Sequence, residues 1–230
     1  MRFLLAVVVC FALVVLLAKP LKRFPVPFYC AALGLVALYW FGVSTNVTGV
    51  WWTWFMPLMQ RCALAFLLFT IVMFVGVLGD SSPLRARLMP IRRQLSILGC
   101  IFALGHLAFY GVSYVPRLGS AFAGNLGFSL ALAAVLVALM TVLLVTSFQV
   151  VKRRMNAARW KGVQRLAYPF YLLTYVHLVL LLAPSAFAGR DTAIVSLVVY
   201  TVVVATYVVL RVRRALLRQQ AARPSAALAG

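Results

Sequence analysis

The sequence has two histidines, His106 and His177, and both fall inside long apolar runs. An ionisable side chain at membrane depth is costly, and its default reading is functional. His106 lies 13 residues after Arg93, and His177 lies 12 after Arg165. On two helices leaving the same membrane side, those offsets place the imidazoles about 19.5 and 18 Å beyond the last basic residue. Two imidazoles at matched depth on different helices suit a planar macrocycle whose iron needs two axial nitrogens. A zinc site would want more ligands, and a general base would want a polar partner. One haem b per chain, held by His106 and His177 as iron ligands, is the economical reading. Its plain alternative is a pair of neutral imidazoles hydrogen-bonded to neighbouring helices.

Other chemistries are thin. The 230 residues carry 22 Lys and Arg against two acids, Asp80 and Asp191. Glycosidase, aspartic-protease and carboxylate-bridged metal chemistry are therefore excluded. Cys10, Cys30, Cys62 and Cys100 sit singly in apolar runs with no CxxC pair, so they read as small hydrophobes. A net charge of +20 raises nucleic acid as a partner. Here, however, the basic residues punctuate apolar runs in a chain that is 65% hydrophobic, which points to membrane lipid and not to nucleic acid.

The elements that position the histidines must then be membrane helices, each needing about 20 apolar residues. Seven runs qualify: Phe3 to Ala18, Val26 to Ser44, Leu58 to Gly79, Leu95 to Val115, Leu126 to Phe148, Ala167 to Ala188 and Thr192 to Val212. The first is short enough to compete with a signal peptide, but it runs into Lys19, Lys22 and Arg23 without a clear small-residue cleavage site. The connecting segments divide sharply by charge. Lys19 to Arg23, Arg85 to Arg93, Lys152 to Arg165 and the tail with Arg211, Arg213, Arg214, Arg218 and Arg223 hold eighteen basic residues. The other side holds Arg2, Arg61, Arg117 and Arg190. Positive charge is retained in the cytoplasm, so the expectation is an all-α, multi-pass protein of a bacterial cytoplasmic (inner) membrane, N-terminus out and C-terminus in. It divides into an N-terminal anchor with its basic loop (1–25), a helical core (26–212) and a basic tail (213–230). No Walker loop is present, and no GxGxxG follows a strand pattern, so the source of electrons or energy must be a partner or a lipid-soluble carrier.

Residues around the histidines have two readings each. Gly99, Ala103, Gly105 and Ala108 flank His106 and either admit a wide ring or serve helix packing. Arg61, Arg117 and Arg190 either meet propionates or snorkel at the interface. Tyr110, Tyr168, Tyr171 and Tyr175 are candidate hydrogen-bond partners of the ligands or ordinary interfacial tyrosines.

The order of residues adds a family likeness. Arg92-Arg93-Gln94-Leu95 through Leu98-Gly99, then Leu104-Gly105-His106-Leu107 and Tyr110, resembles the "RR.LG…LH…Y" segment of ferric-reductase-like transmembrane domains. Trp160-Lys161-Gly162-Val163-Gln164-Arg165-Leu166-Ala167-Tyr168, running to His177, resembles that family's "W..LHRL.Y…H" segment, and Thr146-Ser147 also fits. The likeness covers roughly Thr48 to Pro184. In lacking a fused flavin domain, the chain resembles the MsrQ (YedZ) branch, the haem subunit of a methionine sulfoxide reductase system. The resemblance implies a six-helix haem-binding core with one additional N-terminal helix, and matches His106 and His177 to the family's paired ligands. Gln164 stands where the family usually has a further histidine, and Arg92 where two-haem relatives have another. A second haem is therefore not expected.

These readings make the chain a b-type cytochrome that takes electrons from quinol or from a cytoplasmic flavoprotein. It would pass them to a periplasmic or other extracytoplasmic oxidoreductase, or to ferric or another metal ion. FMN held by the basic loop Lys152 to Arg165, or a quinone, would be the second redox group. A haem-free transporter or membrane scaffold is the competing class; no convincing internal repeat supports the transporter.

Overall fold

The computed structural model describes residues 2–114 and 125–222. Arg117 and Arg223, both counted in the charge division above, lie outside the described residues. Among those described, all regular structure is helical. In chain order the helices are α1 (Arg2–Leu16), α2 (Ala18–Arg23), α3 (Pro25–Ser44), α4 (Val50–Gln60), α5 (Ala63–Val75) and α6 (Pro83–Leu88). A short 3-10 turn, Met89–Ile91, leads into α7 (Arg92–Tyr114). Then come α8 (Asn125–Ser147), α9 (Gln149–Arg154), α10 (Ala157–Gln164), α11 (Ala167–Phe187) and α12 (Asp191–Ala222).

Five helical stretches are long and apolar enough to cross a membrane, and α4 with α5 forms a sixth if the bent pair is one span. This is a multi-pass membrane protein. The expected count of seven is reduced because α1, with 15 residues, extends only about 22 Å, less than a hydrocarbon core of about 30 Å. The expected continuous span from Leu58 to Gly79 is also broken. α4 and α5 meet at 58°. Pro57 lies in the last turn of α4 and cannot donate a backbone hydrogen bond. Cys62 follows with φ 54°, a left-handed conformation that costs a non-glycine residue about 1–2 kcal/mol.

Local chemistry explains several helix starts. Pro25 and Pro83 occupy first-turn positions of α3 and α6, where a missing N–H costs nothing. Asn156 caps α10 by accepting a 2.8 Å hydrogen bond from the Ala158 amide, satisfying one of the orphan donors of the first turn.

Packing centres on α5 and α7. One core joins α1 to α5 with α7 through Leu68, Ile71, Val75, Ile91, Leu95 and Leu98. A second, built from Phe66, Met73, Tyr171, Tyr200, Val204 and Tyr207, seats α11 and α12 on α5. A third joins α7, α8 and α11 through Cys100, Leu136, Met140 and Phe170. Phe69 packs against all three cores and meets Phe170 edge-on with ring centroids 5.1 Å apart. Large apolar side chains such as Phe41, Val112, Phe128, Val198 and Val209 are exposed on the protein surface, as a lipid-facing wall requires.

Candidate functional site

His106 projects from α7 and His177 from α11, and both are partly buried. The two rings are near enough for the charge on one to be felt at the other. The two imidazoles, on α7 and α11, thus lie within electrostatic range of each other.

The partners of the two rings differ. Nδ1 of His177 lies 3.1 Å from the Ser129 carbonyl oxygen and 3.1 Å from the Ser129 hydroxyl, both on α8. A carbonyl only accepts, so in the neutral ring Nδ1 carries the proton and Nε2 keeps its lone pair. Ser129 is 1% exposed, which fixes this contact inside the bundle. Nδ1 of His106 is buried without a hydrogen-bond partner, although the Met59 and Gln60 carbonyls lie beside the ring. Those carbonyls come from the last turn of α4, so the break between α4 and α5 brings the end of a half-helix to the histidine. Tyr110, one turn after His106, sets its ring 4.7 Å from the imidazole at 51°.

The other residues singled out in the sequence sort by position. Gly99 and Gly105 serve helix packing. A Cβ on Gly99 would lie 2.8 Å from the Phe69 ring, and one on Gly105 would lie 2.7 Å from Val36. Small size at these positions therefore brings α5 and α3 close to α7. Arg61 is exposed at the α4–α5 break, and its charge is felt at Tyr110 and Tyr200. Arg190 is exposed in the turn between α11 and α12. Tyr171 is bonded to Thr70 at 2.9 Å and Tyr175 to Thr201 at 2.8 Å. Tyr168 instead underlies the Arg211 guanidinium at 4.5 Å, about 13 Å along α11 from His177.

Gln164, the departure from the family pattern, donates from Nε2 to the Thr146 hydroxyl at 2.9 Å. Trp160 donates from its indole to the Thr146 carbonyl at 3.0 Å. Together they fasten α10 to the end of α8, so Gln164 has a structural task. Ser129 escaped sequence reasoning because it sits 48 residues from His177. Its signal was a lone serine in an otherwise apolar stretch of α8. Among the described residues, no group of three or more His, Cys, Asp and Glu is placed to hold a metal ion, and the cysteines are unpaired.

Comparison with known proteins follows the same segments. A protein of Treponema pallidum (strain Nichols), named only as uncharacterized, is 40% identical over 229 residues, covering 96% of this chain. The chain spans 63% of that relative's length. The family described as "Ferric reductase like transmembrane component" matches residues 61–175, half of the chain, a stretch that contains His106 and stops two residues before His177. Helices, basic segments and family match agree, and the chain belongs to the ferric reductase like transmembrane component family.

Proposed function

We propose that the chain is a membrane electron-transfer component in which His106 and His177 would hold a single haem b. The observation that carries this reading is the pairing of donor states. The Ser129 carbonyl holds His177 in the tautomer that leaves Nε2 as a lone-pair nitrogen, the arrangement typical of metal-bound imidazoles. Nδ1 of His106 is buried without a hydrogen bond beside the Met59 and Gln60 carbonyls, so a group held through Nε2 would leave Nδ1 free to donate to them. Haem fits this donor set of two imidazoles and no thiolates or carboxylates.

Bound haem would supply a one-electron iron couple within the membrane. The chain's own residues do the rest: Ser129 orients His177, Tyr110 packs on His106, and α7, α8 and α11 partly bury both rings. Arg61, exposed at the α4–α5 break, would supply positive charge for a propionate. Electrons would come from quinol, or from a cytoplasmic flavoprotein or FMN at the basic segment Lys152 to Arg165. They would leave to an extracytoplasmic oxidoreductase such as a methionine sulfoxide reductase. That direction uses the orientation inferred from loop charge, with the basic segments in the cytoplasm of a bacterial inner membrane.

The test is a reduced-minus-oxidised spectrum of the detergent-purified protein, with haem quantified as pyridine haemochrome. About one b-type haem per chain is expected, as is its loss in both His106→Ala and His177→Ala, the two ligands being equally required. A normal spectrum in either variant would overturn the ligand assignment.

A further inference from the structure

A second constellation lies at the end of the bundle that carries the basic segments, away from the histidines. Asp80 accepts from Arg214 Nη2 at 2.8 Å and from Arg85 Nη2 at 3.0 Å through the same oxygen, Oδ1. Arg85 also donates from Nη1 to the Leu78 carbonyl at 3.1 Å. Arg92, at the start of α7, lies within electrostatic range of Arg85, Arg211, Tyr168 and Tyr207. Arg211 lies over Tyr168. Two guanidinium groups thus share one carboxylate, which is itself 76% exposed, and Arg92 lies within reach of the charges of Arg85 and Arg211.

The charge balance leaves these cations repelling one another, and two of their donors are stranded. Arg214 is 8% exposed, and its Nη1 is buried without a partner. The Nε of Arg92 is likewise buried without a partner. A buried guanidinium nitrogen with no acceptor carries its full desolvation cost. A multiply charged oxyanion would satisfy donors of this kind while neutralising the excess charge, and guanidinium forks match phosphate geometry.

We propose that Arg85, Arg92, Arg211 and Arg214 form a binding site for a phosphate monoester. The site joins α6 and the turn before it, the start of α7 and the C-terminal part of α12. Its ligand is a phospholipid headgroup or a soluble phosphate, which share the recognising chemistry. Arg92 and Arg214 donate to phosphate oxygens, Arg85 and Arg211 supply field, and Asp80 holds Arg85 and Arg214 in place.

The experiment uses the full chain purified in detergent. Short-chain phosphatidic acid and phosphatidylcholine are titrated separately with native mass spectrometry as the readout, and inorganic phosphate by equilibrium dialysis. Phosphatidic acid is expected to bind one per chain in preference to phosphatidylcholine. Arg92→Gln and Arg214→Gln should each weaken it about tenfold, the loss of one charge-assisted hydrogen bond. Arg23→Gln, at the exposed end of α2, should leave it unchanged. Displacement by inorganic phosphate assigns recognition to the phosphate group, and binding of inorganic phosphate without the lipid assigns the soluble source. Equal binding by all variants, or binding of neither phosphatidic acid nor phosphate, overturns the proposal. If Arg214→Gln fails to fold, Arg92→Gln carries the test, because Arg92 is not part of the Asp80 ion pairs.

Discussion

Replacing Gly105 by alanine tests whether close approach of α3 to α7 positions His106. The added Cβ would lie 2.7 and 2.8 Å from the two methyl groups of Val36 and 3.3 Å from its Cβ. Valine is stiff about χ1, so the clash is relieved mainly by moving α3 away from α7. Overpacking of this kind costs about 1–3 kcal/mol. Glycine to alanine inside a helix also gains roughly 0.5–1 kcal/mol from backbone entropy, and that gain must be removed by a matched control. Gly111 provides it: it lies on the same helix, and an added Cβ there meets nothing within 4 Å. The Gly105→Ala variant should therefore be less stable than Gly111→Ala by about 1–3 kcal/mol, roughly 5- to 150-fold in the unfolding equilibrium. Unfolding in mixed micelles, followed by tryptophan fluorescence, measures the difference. Adding Val36→Ala to Gly105→Ala should recover part of the loss, a coupling between contacting residues that a double-mutant cycle isolates. Equal stability of the two alanine variants, or no coupling to Val36, refutes the packing argument.

Ser129→Ala removes the hydroxyl beside His177 but keeps the carbonyl, so haem retention during dilution should weaken by about tenfold, the low end for loss of an outer partner of a metal ligand. Thr146→Val removes the acceptor of Gln164 and should destabilise by about 1 kcal/mol, with faster proteolysis of the segment around α10; unchanged cleavage would refute that role. Cys62→Val places a β-branched residue at φ 54° and should be less stable than Cys62→Gly by about 1–2 kcal/mol, measured by the same unfolding assay.

Much of the architecture is legible in the sequence because membrane helices announce themselves by length and apolarity, and loop arginines divide them into two sides. That His106 and His177 fall within electrostatic range of each other agrees with the same reasoning, in which helical rise converts distance from a basic flank into depth. The break between α4 and α5 was hidden inside an apolar run, where Pro57 was a visible sign but the left-handed turn at Cys62 was not. Ser129 was invisible as a partner because hydrogen bonding across the bundle has no local pattern. Gly99 and Gly105 admitted two readings until Phe69 and Val36 were seen against them. The Arg85–Asp80–Arg214 constellation was likewise concealed, since residues 134 positions apart share one carboxylate oxygen.

The 32 residues of α12 extend about 48 Å, well beyond a hydrocarbon core of about 30 Å. The contacts that fasten it at one end, Arg211 on Tyr168 and Arg214 on Asp80, begin 20 residues after Asp191, about 30 Å along its axis. They fix both the rotation and the axial register of the helix at one boundary of the bilayer. When the surrounding membrane thickens or thins, this rod cannot slide to follow it. Because Tyr200, Val204 and Tyr207 also seat α12 on α5 and α11, hydrophobic mismatch is met by tilt of these helices together or by the bilayer adjusting its own thickness around them.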